Sequence, residues 1–366
     1  MKSCKFLVLI IFVTIKSSFG QVGTNIGVDT LDTKISTAIK FYRGYIDQFT
    51  KGSKVDYSKY YSAEDCKQFK VPDKMAFSLM GSDPIYKWGK PTILSIKYEN
   101  EFIHIKTLFG ESDSSKNLTV YYICNHFVKF DKAMKPYFIN PMSINLKQWQ
   151  SKTNRNVTYY FPKYHHFNKV KSDSLISKIT QLEKDWDLKP INIRYYFTNT
   201  NDEMQIFRGF DYNFGMGNTD KPSGLSDATD NLVFSSGWGE NYFHEIVHLY
   251  LNKLHPNSPL NEGLAVFYGG SLGHNLDWHL HRINQYLKEH PEIDLNNLDK
   301  FYYMDNLTNP NSALKGLLCE LTFKKKGIVG LKRIMTYTTL DEILSEEFNV
   351  KKLDWNKFYR STLQNY

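Results

Sequence analysis

Apolar residues recur at spacings of three and four over residues 29–51, where Ile35, Ala38, Ile39, Phe41, Tyr42, Ile46 and Phe49 share one face. That period predicts a helix. After a stretch rich in Tyr, Ser and Lys, runs of strand length follow at 92–98, 102–109 and 118–128, and the break Glu99-Asn100-Glu101 predicts a hairpin between the first two. A second series opens with a strand at 157–161 and a helix over 173–186, with Leu175, Ile176, Ile179, Leu182 and Trp186 on one side, then a strand at 191–197. Residues 209–226, rich in Gly, Asn, Asp and Ser, read as a long loop, and 231–235 as a short strand. Tyr242, Phe243, Ile246, Val247, Leu249, Tyr250, Leu251 and Leu254 wrap a further helix in apolar side chains almost all round, which marks it as buried. Helical stripes continue over 276–288, 313–326, 331–337 and 341–363. The alternation of strand-rich and helix-rich stretches predicts an α+β fold.

The first residues and the composition narrow the picture. Lys2 and Lys5 precede the apolar run 6–15, and Ser18 and Gly20 place small residues just before Gln21, so residues 1–20 read as a secretory signal peptide. The run is too short for a membrane anchor, and no later segment is long and apolar enough to span a bilayer. The mature chain is therefore expected without a transmembrane segment, exported to the periplasm or beyond, and its Lys, Asn, Tyr and Phe content fits a low-GC bacterium. The remaining length suggests two domains: an accessory α+β domain over 21–150 and a second domain over 155–366. The helix-then-strands outline of the first is similar, as fold analogy alone, to a cone-shaped nuclear-transport-factor-like domain. It carries no catalytic constellation. Net charge is +8, and losing Lys2, Lys5 and Lys16 with the leader leaves +5. With no dense basic cluster, nucleic-acid binding is disfavoured, and Lys324-Lys325-Lys326 before Gly327 reads as a solvated helix end. Three cysteines remain after the leader, too few for a disulfide framework. Cys66 and Cys124 fall in the expected first domain, open to pairing in an oxidising compartment, and Cys319 reads as a buried helix residue.

The chemistry concentrates in residues 244–262. His244-Glu245-Ile246-Val247-His248 has the His-Glu-x-x-His spacing, which puts two imidazoles one turn apart on one helix face and the glutamate beside the first. Two ring nitrogens leave a tetrahedral Zn²⁺ wanting a third protein ligand and a water. Histidines and a glutamate inside an apolar helix need partners, and a metal with its water satisfies all three. A histidine third ligand in the -x-x-Gly-x-x-His pattern fails, because positions 251 and 254 are Leu. Glu262 lies 14 residues beyond His248, after a reversal through His255-Pro256-Asn257-Ser258-Pro259. Pro259 suits the approach to a second helix and Asn261 its cap, which sets Glu262 in the first turn facing the metal. Gly263, lacking a Cβ, would let the two helices approach closely.

His-Glu-x-x-His followed by Asn261-Glu262-Gly263-Leu264-Ala265 resembles the gluzincin zinc metallopeptidases, in particular the peptidase MA-like proteins and, more distantly, the M1-type aminopeptidases. The resemblance covers residues 155–366 and implies one Zn²⁺ held by His244, His248 and Glu262, Glu245 as general base, a gluzincin-type domain of a small mixed sheet plus a helical half, and a polypeptide substrate. It also implies an edge strand along the cleft that hydrogen-bonds an extended substrate, and Leu232-Val233-Phe234 match that position by order. The aminopeptidase motif Gly-x-Met-Glu-Asn is not matched, since Gly215-Met216-Gly217-Asn218 lacks the glutamate. The family's Tyr-x-Lys-Gly tyrosine is absent too, since the matching stretch is Ala313-Leu314-Lys315-Gly316. Tyr302, Tyr303, His274, His279 and His281 remain open as oxyanion donors. The thermolysin-type Asp four residues after the glutamate ligand is Val266, so Asp277, Glu240 and Glu320 stay open as partners of the ligand histidines. The competing reading is a zinc-stapled module that binds a polypeptide or surface polymer with little or no catalysis. Metal-assisted hydrolysis of a non-peptide bond is a third.

Overall fold

The computed structural model describes residues 22–52, 54–77, 84–217 and 221–366, and the expected leader over 1–20 lies outside them. The chain divides into two compact units, one of residues up to Ser62 with Met75–Ile139, the other of Ala63–Lys74 with Asn140–Tyr366. The boundary expected near residue 150 thus falls at 139/140, and the short segment 63–74 belongs to the second unit. Its Asp65 carboxylate there accepts hydrogen bonds from the Asn140 N–H (3.0 Å) and the Ser143 hydroxyl (2.6 Å). Cys66 accordingly lies in the second unit and Cys124 in the first.

In the first unit β1 (Gly23–Thr24) and α1 (Thr33–Thr50) precede β2 (Lys90–Glu99), β3 (Phe102–Ser112), β4 (Leu118–Phe130) and β5 (Pro136–Ile139). The Asp32 carboxylate accepts from the Ile35 N–H and starts α1, whose apolar stripe Ile35, Ala38, Ile39, Tyr42, Tyr45, Ile46 and Phe49 is buried as its period requires. The strands run in the order β1-β2-β3-β4-β5, antiparallel from β2 onward. Asn100, at φ 53°, makes the tight β2–β3 turn.

The second unit comprises α2 (Ala63–Gln68), α3 (Pro141–Asn145), β6 (Trp149–Asn154), β7 (Val157–Pro162), α4 (Lys169–Asp185), β8 (Ile193–Thr198), α5 (Asn201–Arg208), β9 (Phe210–Asn213), β10 (Ser223–Asp227) and β11 (Leu232–Ser236). A helical half follows: α6 (Phe243–Leu251), α7 (Asn261–Gly269), α8 (Leu276–Glu289), α9 (Pro310–Ile334), α10 (Leu340–Phe348) and α11 (Trp355–Leu363). Its sheet has the order β10-β11-β8-β7-β6, parallel in the middle and antiparallel at both edges. Alternation along the strands splits the side chains between two faces. Tyr159, Tyr195, Phe197 and Val233 join α4, α6 and the helical half in one large core, while Tyr196, Leu232 and Phe234 pack with Met204, Phe207, Phe69 and Met142. Gly327, at φ 60° and ψ −153°, breaks α9 where two separate stripes were read. Of the described residues 43 % are helix and 22 % strand, with the strands gathered into two small mixed sheets, consistent with an α+β fold. Among the described residues no helix is long and apolar enough to cross a membrane.

Two further expectations change. Residues 209–226 are not one loop, since they contain β9 and β10. Leu232–Ser236 is not an edge strand either, because β11 pairs with β10 on one side and β8 on the other. The edge position belongs to β10.

Candidate metal centre

Every residue of α6 is buried, including His244, Glu245 and His248, as the all-round apolar pattern demands. The Tyr242 N–H, just ahead of the helix, donates to the Tyr195 hydroxyl at 3.0 Å and ties the start of α6 to the sheet. The helix stops at Leu251, earlier than expected, and Leu254 is 51 % exposed. After the reversal α7 begins behind Leu260 with no side-chain cap. Asn261, expected as that cap, is the first helical residue and donates its amide to the His255 carbonyl at 3.0 Å. Glu262 sits in the first turn as expected.

The close approach of α6 and α7 falls at Gly269 and not at Gly263. A Cβ on Gly263 would meet Lys315 and Gly316 of α9, at 2.5–2.8 Å. Gly269 faces α6: a Cβ there would lie 2.5 Å from the His244 nitrogen and 2.7 Å from its Cα. Gly269 therefore sets the spacing that carries Glu262 to the histidines.

The three predicted ligands meet. His244 Nε2 and His248 Nε2 are 3.2 Å apart, and the Glu262 carboxylate oxygens lie 3.7 Å and 3.3 Å from them. Ligand atoms bound at roughly 2.0–2.1 Å around a tetrahedral ion stand about 3.3–3.4 Å from one another, so the spacing suits one metal ion. The ring orientations agree. His244 Nδ1 is 2.7 Å from the Gly270 carbonyl, which can only accept, so Nδ1 carries the proton and the Nε2 lone pair is left for a metal. His248 Nδ1 reaches Asn252 Oδ1 at 3.2 Å. Among the described residues the group numbers three, and the Glu262 side chain is 61 % exposed, so the centre faces solvent on that side.

The electrostatics follow from crowding. Burial alone would raise the Glu262 pKa, but the His244 hydrogen bond and the charges of His248, His244 and Lys315 bring it down to about 2. Burial opposes a charged His244 imidazole, yet its hydrogen bond to Glu262, the fields of Glu245 and Glu262 and the Gly270 carbonyl together hold its pKa above the usual value. Burial raises the Tyr242 phenol well above its ordinary pKa, helped by Glu245, Tyr195 and Glu262.

Among the described residues no side-chain carboxylate holds the Nδ1 of His244. Asp277 lies against His281, Glu240 against His165, and Glu320 against Lys324 and Tyr366. The Gly270 carbonyl takes that place, on a turn where Gly270 has φ 71° and a Cβ would strike the His274 carbonyl at 2.2 Å. His279 fastens this turn, with Nε2 2.9 Å from the Ser271 carbonyl and Nδ1 3.2 Å from the Thr308 hydroxyl. The other oxyanion candidates go elsewhere. His274 stacks on Trp278 at 3.5 Å, His281 lies over Asp277, and Tyr302 and Tyr303 are exposed and contact each other.

β10 runs beside the centre. A Cβ on its Gly224 would fall 2.1 Å from Tyr242 Cε1 and 3.1 Å from Glu245 Cγ, so bare backbone lies against both side chains. Sequence reasoning missed Tyr242, Gly270, Asn252 and β10 as parts of the site. Only Asn252, four residues after His248, carries a helical-spacing signal that would have found it. No family model, curated protein or solved structure matches the chain.

Proposed function

We propose that this chain is a zinc-dependent metallopeptidase, exported and acting on polypeptide substrates. His244 Nε2, His248 Nε2 and a Glu262 oxygen would hold the ion. Bound there, Zn²⁺ would act as a Lewis acid that acidifies water and polarises a carbonyl. Glu245, beside His244 and buried near Gly224, takes the proton of the attacking water and returns it to the leaving nitrogen. The outer side of β10 offers backbone groups to an extended peptide, the role that the gluzincin resemblance gives an edge strand. The observation that carries the reading is the mutual 3.2–3.7 Å spacing of three ligand atoms next to an unspent carboxylate. Three protein ligands with an exposed side favour catalysis over a closed structural site, which takes four.

The test incubates the zinc-loaded chain and its Glu245→Gln variant, each with and without chelator, against a diverse peptide mixture, with cut sites read by mass spectrometry. The parent alone is expected to cut, with Glu245→Gln retaining stoichiometric zinc. Cleavage by Glu245→Gln at the parent rate would refute the assigned base. A parent that binds zinc and cuts nothing would favour the zinc-stapled binding module.

A further inference from the structure

We propose that Tyr242 is a catalytic residue of this centre, its hydroxyl donating a hydrogen bond to the oxyanion that forms as the peptide carbonyl is attacked. The inference rests on the metallopeptidase reading and supplies the donor that reading lacks. Ala313 stands where the related enzymes carry their tyrosine, and it is buried in α9 with no hydroxyl to offer. Both ring nitrogens of His279 are engaged, and Tyr302 and Tyr303 are exposed.

Position comes first. Tyr242 is the residue that leads into α6, three positions before Glu245. The point where a Gly224 Cβ would stand is within contact of Tyr242 Cε1, Tyr242 Cδ1 and Glu245 Cγ alike. Cε1 adjoins the carbon that bears the hydroxyl, so the phenol oxygen and the base share one neighbourhood beside the β10 backbone. Rigidity comes second. The Tyr242 ring is parallel to that of His244 (5.7 Å, 9°) and to that of Trp238 (4.9 Å, 8°). Trp238 in turn lies under the turn at Gly273, where a Cβ would meet its ring at 3.1 Å. A donor fixed before the substrate arrives costs no reorganisation during reaction.

The hydroxyl itself is the third observation. Tyr242 is 8 % exposed, and its hydroxyl makes no hydrogen bond to any described residue. Its oxygen is not sealed from solvent, whereas those of Tyr159, Tyr196 and Tyr359 are shut in the core. The oxygen of a peptide bound at the centre would be the hydroxyl's partner.

The proposal is tested on the zinc-loaded full chain with Tyr242→Phe, which keeps the ring and its stacking. Zinc stoichiometry and melting temperature are expected to match the parent, with kcat on the mapped peptide lowered about 100- to 1,000-fold and KM within threefold. A phosphinic pseudopeptide of the cleaved sequence, tetrahedral at phosphorus, should bind the variant about 100-fold more weakly by calorimetry. The uncleaved peptide, presented to the Glu245→Gln protein with and without Tyr242→Phe, should bind equally. A kcat within threefold of the parent, a loss confined to KM, or loss of zinc from the variant would each overturn the role. A parent that cuts no peptide at all defeats the metallopeptidase reading itself, an outcome distinct from an active parent whose Tyr242→Phe variant is equally active.

Discussion

Gly269→Ala is the substitution that most directly probes how the centre is assembled. Helix propensity decides little here, because Gly269 is the last residue of α7. Here the new Cβ would stand 2.5 Å from the His244 nitrogen and 2.7 Å from its Cα, against an ordinary contact of at least 3.4 Å. Backbone atoms of a fully buried helix have little room to yield, so α7 must retreat by about 0.9 Å. That displacement takes a Glu262 oxygen from bonding range, roughly 2.0–2.2 Å, to about 3 Å from an ion still held by the histidines. Zinc affinity should then fall by more than the ~10–100-fold that follows disturbance of an outer partner, with an overpacking cost of about 1–3 kcal/mol. Competition with a chromogenic chelator measures the first and thermal unfolding of the metal-free protein the second. Gly44→Ala in α1, where a Cβ meets nothing within 4 Å, is the control and should leave zinc binding unchanged. Parent-like zinc affinity in Gly269→Ala would mean that α7 does not depend on contact with His244 to place Glu262.

Two further outcomes follow from contacts around the centre. His279→Ala should release the 270–274 turn and lower zinc affinity about 10–100-fold by the same chelator assay, with partial recovery in His279→Gln. Lys74→Met leaves the Asp230 carboxylate buried without its cation and should cost about 3–5 kcal/mol by denaturant unfolding at neutral pH. Burial raises the Asp230 pKa, but the Lys74 contact and the Lys70 and Val71 amides outweigh it and leave it lowered. The parent's advantage should therefore be full above the ordinary carboxylate pKa and fade as the pH falls through the lower folded value. An advantage that persisted unchanged in acid would refute the ion-pair account.

The ligand set was legible because its geometry is mostly local. His248 follows His244 by four positions on one helix, and Glu262 needs only a short reversal to return to them. Which glycine permits that return was not legible: Gly263 and Gly269 lie on the same helix, and nothing in their neighbours says that one faces α9 and the other α6. β10 escaped because Ser-Gly-Leu-Ser-Asp has neither alternation nor β-branched residues, and it becomes a strand only by pairing with β11. β6 escaped for a similar reason, since Gln150, Ser151, Lys152 and Thr153 are exposed at a sheet edge, and the unit boundary moved with it. The Gly270 carbonyl could not have been found, as a backbone oxygen leaves no mark in a sequence. Helix α1 and the β2–β3 hairpin, by contrast, follow from apolar period and one turn residue.

The segment 63–74 has a practical consequence for anyone who would dissect this chain. Neither unit is a single uninterrupted stretch, because the polypeptide visits the second for twelve residues before completing the first. A fragment begun at residue 140 would keep His244, His248 and Glu262 yet lose Lys74, whose ammonium sits between Asp227 at the end of β10 and Asp230. A clone cut at the obvious junction would thus lose the brace on the strand that lies against Tyr242 and Glu245, and a protease nick within 63–74 would strike the same brace without touching His244, His248 or Glu262.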